Sequence, residues 1–269
     1  MRSRLWVCAA MLGMCAQALG QAQPQAFQAG IAAERRGDYA GAMAAWRPLA
    51  EQGNSNAQNN LGYLYENGRG VPRDYAAAAS WYRRAAELGN ATAQNNLGVL
   101  YEKGLGVGRD PAEAARWYER AASRGEPNAV NNLGVLYERG IGVSQNIERA
   151  AALYRQAAGK GNVRAQNNLG VLYEKGQGVP RDLKAAASWY LRAAQAGNSQ
   201  AMNNIGVLYA NGSGVPADIV RATFWFNLAA SEGNANGATN RDSTSRRLTV
   251  QQREQVERLL SEWRAAHSR

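Results

Sequence analysis

The sequence predicts an all-α solenoid of stacked helical hairpins, and three observations carry that prediction. The tetrapeptide Asn-Asn-Leu-Gly stands at 59–62, 95–98, 131–134 and 167–170, and returns as Asn-Asn-Ile-Gly at 203–206, every thirty-six residues. A fixed period of this size marks one small supersecondary unit copied along an axis, each copy leaning on its neighbours. Within the unit, apolar residues recur at helical spacing, and Gly and Asx residues fall where helices have to stop and start. Composition agrees: alanine and glycine are abundant, Phe and Pro are few, and nothing suggests a β-rich body.

The first residues differ in kind. Arg2 and Arg4 precede an apolar run over 5–19, and Ala18-Leu19-Gly20 offers small residues at its exit. This is the pattern of a secretory signal, with cleavage expected after Gly20 and a periplasmic or secreted product. The alternative, an uncleaved anchor, is disfavoured because the run is shorter than the roughly 20 residues a membrane span needs and contains Gly13 and Gln17. A lipid anchor is disfavoured by Met14 before Cys15 and Val7 before Cys8. Both cysteines lie in the signal, so the mature chain is expected to have no disulfide and no cysteine-held metal. Without Arg2 and Arg4, 29 basic side chains face 21 acidic ones, net +8. Such a chain is drawn to acidic polymers or lipid headgroups.

Residues 24–53 read as a degenerate N-terminal capping repeat, with helices over 26–36 and 38–52. Asp38, Trp46 and Gly53-Asn54 are in register, and Pro48 is expected to kink or shorten the second helix. Residues 54–233 hold five full units. In the first, Ala57, Leu61, Leu64 and Tyr65 share one helix face, which ends at Gly68 and Gly70 before Val71-Pro72 leads the chain away. Asp74 and its equivalents Asp110, Asn146, Asp182 and Asp218 are N-caps of the second helix; after Asp110-Pro111, Glu113 is expected to reach back in a capping box. Ala78, Trp81, Tyr82 and Ala85 form the second stripe, and Gly89-Asn90 closes the unit.

Two aromatic columns should hold the stack: Trp81, Trp117, Leu153, Trp189, Trp225, and beside them Tyr82, Tyr118, Tyr154, Tyr190, Phe226. Aromatic rings at helical spacing are core before they are cofactor platforms. Gly62 and its copies sit inside a helix, where glycine costs about 1 kcal/mol relative to alanine, so the two helices are expected to approach closely there, against Ala85 and Ala86. Residues 234–269 read as the C-terminal cap: a polar segment through Arg241-Asp242, then a last helix capped by Thr249 that turns Val256, Leu259, Leu260 and Trp263 inward.

Ala57, Leu61, Gly62, Tyr65, Gly68, Gly70, Val71 and Asp74, followed by Trp81, Tyr82, Ala85, Ala86, Gly89 and Asn90, spell a motif that resembles the Sel1-like repeats, relatives of the tetratricopeptide repeats with a longer turn. The match covers about 180 residues; Leu153, Asn146 and Phe226 depart from it. The resemblance implies a right-handed α/α superhelix that serves as a scaffold for protein partners, with the first helices lining its concave face. Some cysteine-rich relatives act on β-lactams, each repeat carrying a disulfide this chain lacks.

Opposite the buried stripe, the first helices place Asn59, Tyr63 and Glu66 on one face, with copies Asn95, Val99 and Glu102; Asn131, Val135 and Glu138; Asn167, Val171 and Glu174; Asn203, Val207 and Ala210. These ladders are the candidate partner-binding surface. Asn60 and its copies are expected to bond between repeats, leaving Asn59 and its copies for the ligand. The carboxylates near a helix C-terminus need an offset: either neighbouring bases such as Lys103, Arg139 and Lys175, or a basic or amide-rich partner. Arg83, Arg84, Arg116, Arg120, Arg155 and Arg192 read as a solvated outer face.

Catalytic residues are expected to be none, with no cofactor and no metal site. His267 is the only histidine, and the Gly-x-Gly turns end helices without making a phosphate cradle. The expected partner is a protein or peptide, with no nucleic acid, no integral membrane segment after signal cleavage, and possible envelope association. The alternatives are a cell-wall or β-lactam-active hydrolase and a polyanion binder.

Overall fold

The computed structural model describes residues 24–267; the signal reading of 1–20 lies outside them. The described residues are helical without a strand. Helix α1 (24–35) and α2 (Tyr39–Glu51) form a first hairpin. The repeated hairpins follow as α3 (Ser55–Asn67) with α4 (Tyr75–Glu87), α5 (Ala91–Lys103) with α6 (Pro111–Ser123), α7 (Pro127–Arg139) with α8 (Ile147–Gly159), α9 (Val163–Lys175) with α10 (Leu183–Gln195), and α11 (Ser199–Asn211) with α12 (Ile219–Ser231). Helices α13 (Ala235–Ser245) and α14 (Val250–His267) end the chain. These helices fall into two compact units, α1–α6 and α7–α14, dividing between Glu126 and Pro127.

Local chemistry sets every boundary. Four of the five first helices open on an asparagine whose Oδ1 accepts from the amide three residues on, as Asn54 does from Ala57 and Asn90 from Ala93; α7 follows Glu126 instead. The first of them closes on a left-handed glycine, Gly68 at φ 65°, whose N–H returns to the Leu64 carbonyl. The second helix opens on an Asx residue; Asp74 Oδ1 accepts from both Ala76 and Ala77. The second glycine of the connecting turn has two reasons to lack a side chain. Gly106 has φ 67°, and a Cβ there would come within 2.2 Å of the Tyr75 carbonyl carbon, so the turn lies directly on the preceding unit's second helix.

The two aromatic columns are not equivalent. Tyr82, Tyr118, Tyr154 and Tyr190 are fully buried, each in the centre of its own hairpin. In the other column Trp117 and Trp225 are buried, while Trp81 and Trp189 are half-exposed. The tyrosines also account for the helix-interior glycines: a Cβ on Gly98 would stand 2.6 Å from the Tyr118 ring, and Gly62, Gly134 and Gly170 meet Tyr82, Tyr154 and Tyr190 in the same way. The close approach is therefore ring against backbone, rather than against Ala85 and Ala86 as expected.

Three other expectations change. Pro48 does not shorten α2, which keeps 13 residues; the ring is exposed in the last turn, where little helix remains to disrupt. Glu113 does not close a capping box but pairs with Arg116 at 2.8 Å. The segment after Gly233 is helical. Asn234 caps α13 by accepting from Gly237, in register with those four asparagine caps, so α13 is the first helix of a further, degenerate unit. It lacks an apolar stripe, which is why periodicity passed it over. Helix α14 follows as anticipated, with Thr249 and Gln252 closing a reciprocal cap and Val256 and Leu260 buried.

Candidate partner-binding face

The first helices of each unit place the predicted ladders side by side, and each ladder proves to be partly spoken for. Asn95, Asn131, Asn167 and Asn203 are buried, and only Asn59, at the first position, is half-exposed. Their carbonyl oxygens accept from the second asparagine of the following repeat: Asn96 Nδ2 to Asn59 Oδ1 at 3.2 Å in the first unit; Asn168 to Asn131, Asn204 to Asn167 and Asn240 to Asn203 at 3.2, 3.1 and 2.9 Å in the second. The expected bond between repeats is made by Asn96, Asn168 and Asn204, all half-buried, whereas Asn60 accepts from Asn59 on its own helix. The expectation that Asn59 and its copies would stand ready for a ligand fails, because a buried amide oxygen in a first helix takes the nearest donor, and the neighbouring repeat supplies one.

The carboxylates also have a partner, and it is not a base. Tyr82 donates its hydroxyl hydrogen to Glu66 Oε2 at 2.6 Å, and Tyr118, Tyr154 and Tyr190 do so to Glu102, Glu138 and Glu174 at 2.7, 2.5 and 2.6 Å. Burial, then the hydrogen bond and charge of the glutamate, push the Tyr82, Tyr154 and Tyr190 hydroxyls far above the ordinary tyrosine range. The signal for this pairing was in the sequence: the fifth repeat replaces Tyr by Phe226 and Glu by Ala210 together. Loss of both partners at once is what a hydrogen-bonded pair demands, since either one alone leaves a polar group stranded.

The valines remain. Tyr63 and Val99 in the first unit, and Val135, Val171 and Val207 in the second, are half-buried; Val171 and Val207 rest at their base on the core of the second unit. Each lies three residues before the glutamate position, hence beside it on the helix surface.

The arginines expected to be merely solvated lie against aromatic rings. Arg84, Arg120 and Arg192 cover Trp81, Trp117 and Trp189 at 4.4–4.8 Å. A second set holds the tyrosines at 65, 101, 137, 173 and 209, each met by an arginine from one of two alternative positions. Arg47, Arg83 and Arg155 reach the Tyr65, Tyr101 and Tyr173 hydroxyls from the preceding second helix. Where that position is Glu119 or Leu191, Arg149 and Arg221 cover Tyr137 and Tyr209 from the following one.

The Sel1 repeat family model matches five consecutive times, at residues 55–90, 91–126, 127–162, 163–198 and 199–234. The chain belongs to the Sel1 repeat family. A Sel1 repeat protein from Oxalobacter formigenes is 37% identical, with a TM-score of 0.70 over 79% of this chain and 88% of that one. A putative Sel1 repeat protein from Klebsiella pneumoniae subsp. pneumoniae (22% identity, TM-score 0.51, 76% of this chain and 99% of that one) shares the fold. So does an immunity protein from Pseudomonas aeruginosa (21%, 0.55, 77% and 83%). No curated protein matches. The fold class is thus the right-handed α/α solenoid of the Sel1 repeats, which are generally interaction scaffolds rather than enzymes. Among the described residues, no helix is long and apolar enough to cross a membrane, and no three His, Cys, Asp or Glu side chains group as a metal site.

Proposed function

We propose that this Sel1 repeat protein is a non-catalytic scaffold of the cell envelope that binds a protein or peptide partner on its first-helix face. The observation that carries this reading is the half-buried, uncovered row of Val135, Val171 and Val207 on the first helices of the second unit. Valine on a helix surface has neither a propensity nor a solubility advantage, and Val135 and Val171 stand beside Glu138 and Glu174, whose fold-stabilising bonds use one oxygen only. Export rests on residues 1–20 and predicts a mature chain that begins at Gln21.

Crosslinking in the envelope fraction, with Val135→Lys/Val171→Lys as the control, tests the binding face. Both positions are only half-buried, so the variant should fold and melt as the parent does while losing its crosslinked partner. A partner retained at parental yield would remove the first-helix face from the reading. Sequencing the amino terminus of the exported protein tests the location, and a chain still starting at Met1 in the cytoplasmic fraction would overturn it.

A further inference from the structure

We infer that the first-helix face of the second unit receives an amphipathic α-helix whose apolar stripe is edged on one side by Lys or Arg. The inference rests on the partner-binding reading above and adds the kind of partner. Three observations lead to it. The asparagine oxygens of Asn131, Asn167 and Asn203 are already bonded to Asn168, Asn204 and Asn240, so the face has few amide groups to offer an extended chain. An extended segment laid here would lose water from its own N–H and C=O groups without replacement, whereas a helix satisfies its backbone internally.

Spacing favours the same occupant. Packed helices lie about 8–10 Å apart, and seven residues of α-helix rise about 10.5 Å. A partner helix crossing α7, α9 and α11 would therefore return the same side to Val135, Val171 and Val207 in turn. A β-strand covering that distance in three residues would show the opposite face at each step.

Charge sets the edge. Glu138 and Glu174 flank one side of the valine row, each held at Oε2 by a tyrosine, with Oε1 unclaimed among the described residues. Arg164 lies two turns before Val171 on the other side of the row and is exposed. Arg139 and Lys175 follow the glutamates by one residue and so point about 100° away around the helix. A cationic edge on the partner meets the two carboxylates, and the opposite edge must be neutral or acidic to lie against Arg164.

The test uses the complete chain and fluorescein-labelled 21-residue peptides, read by anisotropy at 150 mM salt. One peptide carries leucines at heptad spacing edged by lysines; the second replaces those lysines by glutamates; the third keeps the first composition but contains prolines that forbid a helix. The lysine helix should bind, and the other two at least tenfold more weakly. Glu138→Gln/Glu174→Gln, whose amide oxygens can still accept from Tyr154 and Tyr190, should weaken the lysine helix at least fivefold with an unchanged melting curve. Val135→Lys/Val171→Lys should abolish its binding. Equal binding of all three peptides, or no effect of the glutamine pair, overturns the inference. If the lysine helix fails to bind but the valine variant still loses its envelope partner, the partner is not such a helix and the binding face stands. If the valine variant keeps that partner, the face itself is wrong.

Discussion

At the scale of single residues, the amide and hydroxyl side chains of the first-helix face stabilise the fold. Asn131→Ala removes the buried acceptor of Asn168 and should cost about 1–3 kcal/mol in a urea titration; an unchanged midpoint would mean that the ladder contributes nothing. Tyr154→Phe strands Glu138, and Glu138→Ala strands the Tyr154 hydroxyl. The double change recreates the Phe226 and Ala210 pairing of the fifth repeat, so it should be markedly less damaging than the sum of the single changes in a double-mutant cycle.

The tyrosines also set an alkaline limit on stability. Their hydroxyls are raised in the folded state, by burial first and by the glutamate second. Above about pH 10, the ordinary tyrosine value, the unfolded chain has released protons that the folded one still holds. Stability is therefore fully present below that pH and falls above it, by up to about 1.4 kcal/mol per pH unit for each such tyrosine. Melting temperatures from pH 8 to 11 should show the decline, and Tyr82→Phe, Tyr154→Phe or Tyr190→Phe should each reduce its slope.

At the scale of the element, the hairpin was legible because its signals are local and repeated. The glycine after each first helix and the Asx before each second one could be read residue by residue, and the helix ends follow them. What escaped was whatever needed a partner outside the local window. Gly62 calls for close packing by its place in the helix, but whether the Tyr82 ring or Ala85 and Ala86 meet it depends on how the two helices cross, which periodicity does not fix. The direction of the Asn59 side chain was taken from helical phase, which places it away from the core of its own hairpin and is silent about the next repeat. Helix α13 shows itself in the sequence only through a cap and one ladder asparagine, Asn240, because it has no apolar stripe to set its phase. The Tyr–Glu pairing could have been found from the joint change at Phe226 and Ala210. For the element, the informative change is Gly98→Ala: the added methyl meets the Tyr118 ring, and α5 and α6 must separate or the ring must turn, at about 1–3 kcal/mol. Gly159→Ala, with open space around its Cβ, is the control and should melt no lower.

At the scale of the molecule, a period kept this strictly makes whole repeats removable. Deleting 163–198 from the second unit brings Asn204 into the place of Asn168, opposite Asn131, and rejoins Lys160-Gly161-Asn162 to Ser199 in register. The shortened protein should fold, with its urea m-value lowered in proportion to the surface lost. Removing 234–269 is the contrasting change. It uncovers α12, where Phe224 and Trp225 pack edge-on against Trp263, and should produce oligomers on size-exclusion chromatography. A monodisperse product of parental stability would show that α13 and α14 are dispensable.

The Asn240-to-Asn203 bond, with which the amide ladder ends, has a consequence for assembly. Because the amide rungs within the second unit share one geometry, they give an interior hairpin no address of its own, and the same rung would accept a hairpin from another chain. Only the two terminal hairpins, built from different letters, tell a folding chain where to begin and stop counting; damage to either should therefore be felt first as exchanged segments and miscounted stacks between molecules.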